Sequence, residues 1–190
     1  MKKIAITGSF GSGKSTVTRY ISKQYFTLSC DDINRRLLPE SEEVRKAFPE
    51  CLNEEGNIDT AKLSDAVFTD DEKRKQLEDI MHPLILREIK KELMQHQDDD
   101  FCFVEVPLLF EKNWDIYFDV CVLVVTDMDL AIKRLMTYRH MNMEEIQRRL
   151  SVQMDVSEKM KLADYLIFNN ASYEELEEKI NAFLYELNQK

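Results

Sequence analysis

An octapeptide near the start of the chain has the residue types and spacing of a phosphate-binding loop. It runs from Gly8 to Ser15 as G-S-F-G-S-G-K-S, directly after the apolar run Ile4–Ile6, and so fits G-x-x-x-x-G-K-S. Glycines let successive backbone N–H groups point at phosphate oxygens, and the next helix presents its positive dipole end to the same anion. Lys14 is expected to reach the β- and γ-phosphates of a nucleotide, and the Ser15 hydroxyl to ligate Mg²⁺.

Two aspartates, Asp31 and Asp32, follow the second apolar run, Phe26–Cys30, which is a predicted strand. In a doubly wound sheet, ligands bind at the carboxyl ends of the strands, so an acid at this position faces the transferred phosphoryl group. Asp31 is therefore a candidate general base that accepts a hydroxyl proton. The alternative is that Asp31 or Asp32 caps the following helix. Both roles are compatible, since one aspartate can cap while the other catalyses.

An acid also ends the third apolar run, where Glu105 stands in the predicted strand Phe101–Val106. Phosphate-loop enzymes often keep an acid there that holds Mg²⁺ directly or through water. Glu105 is a candidate for that role, with a solvated or capping glutamate as the alternative.

Several arginines lie in the polar segment 127–163, and a helical excursion of this kind beside a phosphate site is a candidate lid. Arginine supplies planar, permanently charged donors to phosphoryl oxygens. One or two of these arginines are expected to be functional, because most surface arginines only solvate a helix face. They are Arg134, Arg139, Arg148 and Arg149.

Strand-like and helix-like segments alternate, which is typical of a mostly parallel sheet with helices on both faces. The strand candidates are near-continuous apolar runs, as expected for parallel strands buried on both faces. They are Lys3–Thr7, Phe26–Cys30, Phe101–Val106, Val120–Val125 and Tyr165–Phe168.

The long segment 33–97 is helical and polar in pattern, and it is too long for a simple crossover between strands. We interpret it as an inserted helical substrate subdomain, in which Pro83 is expected to kink or restart the longest helix. Together with the lid it belongs to a single folding unit, whose core is formed by about residues 1–32, 98–126 and 164–190.

Composition narrows the class of partner and the compartment. The net charge of −10 over 190 residues argues against a nucleic-acid or acidic-membrane binder. The apolar stretch after the N-terminal lysines is too short for a signal peptide or a membrane span, so a soluble, unprocessed protein is expected. Four well-separated cysteines without a C-x-x-C pair favour a reducing, cytoplasmic setting. They are Cys30, Cys51, Cys102 and Cys121.

Five stretches share the order and spacing of one kinase family. They are the phosphate loop, Cys30-Asp31-Asp32-Ile33-Asn34-Arg35, His82-Pro83-Leu84-Ile85, Val106-Pro107-Leu108-Leu109-Phe110-Glu111, and Ala163-Asp164-Tyr165 with Asn169-Asn170. Through them the chain resembles the dephospho-coenzyme A kinases over nearly its whole length. The resemblance implies a P-loop kinase-type three-layer α/β fold with a five-stranded parallel sheet, a helical substrate-binding insertion and a helical lid. It also implies ATP-dependent phosphorylation of the 3′-hydroxyl of dephospho-coenzyme A, the last step of coenzyme A synthesis, with Mg²⁺ as cofactor.

The resemblance also assigns roles to residues. It selects Asp31 over Asp32 as the base, gives Arg35 a part in holding the acceptor, and places His82 in the insertion that forms the coenzyme A side. In the lid Arg134 fits the family pattern, and Arg139 lies next to the position of the second family arginine. The predicted catalytic residues are Asp31, Lys14, Arg134 and Arg139. The predicted ATP-binding residues are Gly8, Gly11, Ser12, Gly13, Lys14, Ser15 and Thr16.

Three departures from the family pattern are visible. Ser9-Phe10 replaces the commoner Gly-Ile pair, without affecting the defining glycines or lysine. Ser29-Cys30 replaces Asp-Ala, which removes the first acid of the family's pair, and Glu105 stands where many members have Asp. Two alternatives to this family are another small phosphate-loop kinase and a nucleotide-dependent switch. The chain lacks the N-K-x-D and D-x-x-G stretches expected of such a switch.

Overall fold

The computed structural model describes residues 1–189 and contains a five-stranded sheet. Each strand lies within one residue of its predicted ends. The strands are β1 Lys2–Gly8, β2 Phe26–Ser29, β3 Phe101–Glu105, β4 Val120–Val125 and β5 Tyr165–Phe168. Their order is β2-β3-β1-β4-β5; β1 pairs in parallel with β3 and β4, and β4 with β5. The predicted α/β class with a parallel sheet is confirmed.

Nine α-helices lie within the described residues. They are α1 Lys14–Ile21, α2 Cys30–Leu37, α3 Glu42–Ala47, α4 Thr60–Thr69, α5 Asp71–Gln95, α6 Met128–Arg139, α7 Met143–Ser151, α8 Val156–Leu162 and α9 Tyr173–Asn188. Short 3₁₀ turns at Leu38–Glu40, Pro49–Cys51 and Asp115–Tyr117 accompany them. None of these helices is both long enough and apolar enough to cross a membrane.

The central strand β1 is buried on both of its faces. Ile4 and Ile6 share a core cluster with Val17 of α1 and Ile180 of α9. Ala5 points to the opposite face and is also fully buried, because successive strand residues alternate between the two faces of a sheet. Burial on both faces explains why the strands read as unbroken apolar runs.

The contacts divide the chain into two compact units. One comprises Met1–Leu28 and the chain from His96 onward, and the other is Ser29–Gln95. The first contains α1, α6 to α9 and all of the sheet except Ser29 at the end of β2, and the second contains α2 to α5. The predicted substrate role of segment 33–97 and the lid role of segment 127–163 stay predictions.

The longest helix, α5, organises the second unit. Met81, Ile85 and Ile89 recur along one face and are buried, with α2 and α4 packed against the helix. The helix is unbroken at Pro83, so the expected restart there is wrong. Proline removes the hydrogen bond to the carbonyl of Asp79. Both residues are exposed, so this carbonyl can bond to water while the buried face keeps the helix continuous.

Candidate active site

The phosphate loop joins the carboxyl end of β1 to the amino end of α1. Gly8 is the last residue of the strand and Lys14 is the first of the helix. Gly11 and Gly13 have φ angles of 82° and 91°, in the left-handed region that other residues rarely adopt. A Cβ atom on Gly11 would also lie 2.9 Å from Cδ1 of Leu135 in α6. The backbone path and the close packing of α6 therefore both require glycine in this loop.

The side chain of Lys14 folds back over the loop. Its ammonium group donates hydrogen bonds to the carbonyl oxygens of Gly8, at 2.7 Å, and Ser9, at 3.1 Å. These bonds hold a positive charge beside the first turn of α1, where backbone N–H groups lack partners within the helix. A lysine ammonium and a helix amino terminus together favour an anion at this place.

Two oxygen ligands suited to a divalent cation meet at the end of the loop. The Ser15 hydroxyl donates a hydrogen bond of 2.8 Å to Oε1 of Glu105, the last residue of β3. Glu105 is only 6% exposed, so the alternative of a solvated glutamate at the strand end is wrong. The pair suits Mg²⁺, because that ion takes hard oxygen ligands and usually needs only one or two protein groups besides water and phosphates. The buried hydroxyls of Thr7 and Ser12 make no hydrogen bond within residues 1–189.

The predicted lid arginines are not equivalent. Arg134 donates to the carbonyl oxygens of Asn169, at 2.8 Å, and Ala171, at 3.4 Å. The guanidinium groups of Arg139 and Arg149 both lie over the ring of Phe10 in the phosphate loop. The fourth arginine, Arg148, forms a 2.8 Å ion pair with Glu144 of its own helix.

In the helical unit, Ser29 caps α2 by accepting a hydrogen bond from the backbone N–H of Asp32. The alternative that Asp31 or Asp32 is the N-cap is therefore wrong, and both lie in the first turn, where carboxylates favour the helix dipole. Asp32 forms an exposed 2.8 Å ion pair with Arg35. Asp31 is exposed, and His82 is half-buried within α5.

A family model described as dephospho-CoA kinase matches residues 2–175 of the chain. The chain belongs to the dephospho-CoA kinase family. A dephospho-CoA kinase from Aquifex aeolicus is 37% identical over 193 residues, covering 98% of each chain. One from Thermus thermophilus is 36% identical over 186 residues, covering 97% of this chain and 91% of its own. The activity of the present chain is that of the family: it phosphorylates dephospho-CoA, the step that completes coenzyme A biosynthesis.

Solved structures agree with this assignment. A dephospho-CoA kinase from Campylobacter jejuni superimposes with a TM-score of 0.74 at 29% identity, covering 98% of this chain and 97% of its own. A shikimate kinase from Acinetobacter baumannii reaches a TM-score of 0.57 at 15% identity over 100% of this chain and 96% of its own. The second similarity shows a shared fold only.

The surroundings of the phosphate loop also contain residues for which sequence analysis predicts no individual role. The carbonyl oxygen of Ser12 accepts hydrogen bonds from Nδ2 of Asn169, at 2.8 Å, and from the Thr126 hydroxyl, at 2.9 Å. These two residues follow β5 and β4, so the neighbouring strand ends fix the phosphate loop. The Asn169-Asn170 pair marked the family in the sequence, but only the sheet order shows that one of its amides reaches the loop.

Proposed function

We propose that the phosphate loop of this kinase binds the triphosphate of ATP and that Ser15 and Glu105 hold Mg²⁺. The single observation that carries the proposal is the 2.8 Å hydrogen bond between these two side chains. This hydrogen bond brings two hard oxygen ligands together, and one of them, Ser15, directly follows the lysine of the loop. Mg²⁺, when bound, neutralises charge that develops on the phosphate oxygens.

The same proposal gives the loop residues their parts in binding. Lys14 exchanges its bonds to the loop carbonyls for the β- and γ-phosphates, and the backbone N–H groups of the loop donate to the remaining phosphate oxygens. The residues concerned are Gly8, Gly11, Ser12, Gly13, Lys14, Ser15 and Thr16.

Asp31 is the general base in this proposal. It accepts the proton of the ribose 3′-hydroxyl while that oxygen bonds to the γ-phosphorus, the bond from this phosphorus to the β–γ bridging oxygen breaks, and ADP leaves. Two contacts support the choice of Asp31 over its neighbour. Ser29 already caps α2, so capping does not occupy Asp31, whereas Asp32 is paired with Arg35.

Charged side chains complete the assignment. Arg134 and Arg139 donate to the transferred phosphoryl group, which suits guanidinium groups because they offer five N–H donors each and stay charged. Arg134 already directs two of its donors to backbone carbonyls, which fixes its orientation. Arg35 and His82 contact dephospho-CoA.

Asp31→Asn and Asp32→Asn form a matched pair that tests the base. Both remove one exposed carboxylate from the same helical turn, so their effects on folding are comparable. With Asp31 as base, Asp31→Asn lowers kcat roughly 10²–10⁴-fold, and Asp32→Asn stays within a few-fold of the native enzyme. The measurement is ADP release with dephospho-CoA as acceptor, with the phosphorylated product identified by mass spectrometry. Near-normal kcat for Asp31→Asn contradicts the assignment.

For the cellular setting we propose the cytoplasm and no nucleic-acid or membrane partner. All four cysteines are buried, and buried thiols suit a reducing compartment. The net charge of −10 disfavours polyanionic surfaces. ATP and dephospho-CoA, the substrates of the family, are anions, and they meet local positive charge at Lys14 and the arginines.

A further inference from the structure

Phe10 lies in the phosphate loop and is contacted by charged groups from two helices. Cζ of Arg149 in α7 is 5.1 Å from the centroid of its ring, and Cζ of Arg139 at the end of α6 is 5.9 Å from it. Both distances are within the roughly 6 Å range of cation–π attraction. The two arginines are exposed, whereas Phe10 is half-buried, so the ring is the more buried partner in both contacts.

A third contact joins the same residue to the segment that follows α7. The backbone N–H of Phe10 donates a 2.8 Å hydrogen bond to Oε1 of Gln153. This bond and the two ring contacts reach α6, α7 and the turn before α8. Phe10 alone therefore contacts three separate residues of segment 127–163.

We propose that Phe10 is a positioning residue that docks segment 127–163 onto the phosphate loop and orients Arg139 and Arg149 toward the nucleotide phosphates. The ring acts through the arginines and takes no part in the chemistry. Guanidinium groups stack on an aromatic face with their edges free, so an arginine held this way keeps its N–H donors available to phosphate oxygens. This inference rests on the proposed role of the lid arginines in phosphoryl transfer.

Phe10→Leu tests the contribution of the aromatic ring alone. Leucine keeps an apolar side chain and the backbone N–H that bonds to Gln153, but it removes the π face that attracts the arginines. Phe10→Tyr is the matched control, because it keeps an aromatic ring of the same shape. We expect Phe10→Leu to lower kcat/KM for ATP about 5-fold, the order that one or two cation–π contacts supply, and Phe10→Tyr to stay near the native value.

Limited trypsin digestion gives a readout that needs no catalysis. Cleavage after Arg139 and Arg149 requires local opening of the helices that carry them. In Phe10→Leu, loss of docking is expected to raise these two cleavage rates about 5-fold and to leave cleavage after Lys23 unchanged. In Phe10→Tyr all three cleavage rates are expected to match those of the native protein. In kcat/KM, the effect of combining Phe10→Leu with Arg149→Gln is expected to be smaller than the sum of the two single effects, because both variants remove the contact between Arg149 and the ring.

The outcomes separate the two proposals. Native cleavage rates and native kcat/KM in Phe10→Leu overturn the docking role. Altered cleavage with unchanged kcat/KM overturns the orienting role while leaving both the dock and the arginine assignment in place. A loss of the same size in Phe10→Tyr contradicts the cation–π basis.

Discussion

Glu105 has one of the least exposed carboxyl groups of the described residues, and its partner is the hydroxyl that the motif assigns to Mg²⁺. Glu105→Gln keeps the size and a hydrogen-bond acceptor for Ser15 but removes the negative charge that a cation needs. The Mg²⁺ concentration for half-maximal rate is expected to rise about tenfold, the scale seen when a carboxylate around a metal is altered. Initial rates against MgCl₂ at fixed ATP measure it. Glu158→Gln, which removes an exposed carboxylate paired with Lys161, is the control; an identical Mg²⁺ curve for both variants contradicts the metal role.

Cys121 in β4 gives a pH prediction. Burial, with a smaller contribution from the Asp164 carboxylate, raises the pKa of its thiol from 9.0 to about 12. The unfolded chain therefore releases this proton above about pH 9 while the folded chain retains it, so stability is fully present below pH 9 and falls between pH 9 and 12. The loss is roughly 1 kcal/mol by pH 10. Urea unfolding at pH 8 and pH 10 checks it: native protein must lose more stability than Cys121→Ala, and equal losses contradict the prediction.

The elements divide into those that local sequence determines and those that depend on contacts distant in the chain. The apolar runs predicted all five strands, because parallel strands buried on both faces tolerate little else. The loop motif likewise predicted the start of α1. In contrast, the hydrogen bond from Asn169 to the phosphate loop depends on β5 lying beside β4. No local sequence pattern predicts that order of strands.

Two of the alternatives expected for the helices, a restart at Pro83 and an aspartate N-cap on α2, are wrong for local physical reasons. Pro83 breaks one backbone hydrogen bond, but packing of the opposite, buried face of α5 outweighs that loss. Asp31 and Asp32 are both good N-cap residues by type, yet α2 begins two or three residues earlier than such a cap requires, so Ser29 is the N-cap. Residue type alone does not separate these neighbouring positions.

A buried ion pair joins the segment after β3 to α8. Nζ of Lys159 lies 2.7 Å from Oε1 of Glu111, with side-chain exposures of 0% and 10%, and the same oxygen accepts the backbone N–H of Met154 at 2.9 Å. Glu111→Ala leaves a buried ammonium without its counter-charge, which costs about 3–5 kcal/mol in unfolding free energy.

Urea denaturation measures this cost. The double variant Glu111→Leu with Lys159→Met removes both charges and keeps the volume, so it is expected to recover most of the lost stability. A double variant as unstable as Glu111→Ala would show that packing or the lost hydrogen bond from Met154, and not the buried charge, accounts for the loss.

At the scale of the whole molecule, one fold serves different acceptors. The overall fold resembles that of a shikimate kinase at 15% identity, so the fold itself does not choose the acceptor. Family membership settles the acceptor for this chain, and the unit Ser29–Gln95 contains both residues proposed to contact it, Arg35 and His82. The strand pattern predicted the fold class, but naming the acceptor needed the motifs outside the loop.

Nucleotide binding should stabilise the whole protein, because a ligand that binds only the folded state shifts the unfolding equilibrium by mass action. Mg-ATP at about 100 times its Kd adds about 2.7 kcal/mol, which raises Tm by about 5–10 °C for a chain of 190 residues. AMP, which lacks the β- and γ-phosphates that Lys14 is proposed to bind, is expected to give a clearly smaller shift at the same concentration.

Differential scanning fluorimetry with both nucleotides, on native protein and Lys14→Ala, tests this expectation. Removal of the ammonium should reduce the ATP shift to the size of the AMP shift while leaving the AMP shift itself unchanged. Lys23→Ala, which removes an exposed positive charge 3.9 Å from Glu177, controls for net charge and should respond to ATP as the native protein does. Equal shifts for ATP and AMP in native protein would mean that the terminal phosphates add nothing, and would contradict the assignment of Lys14 to them.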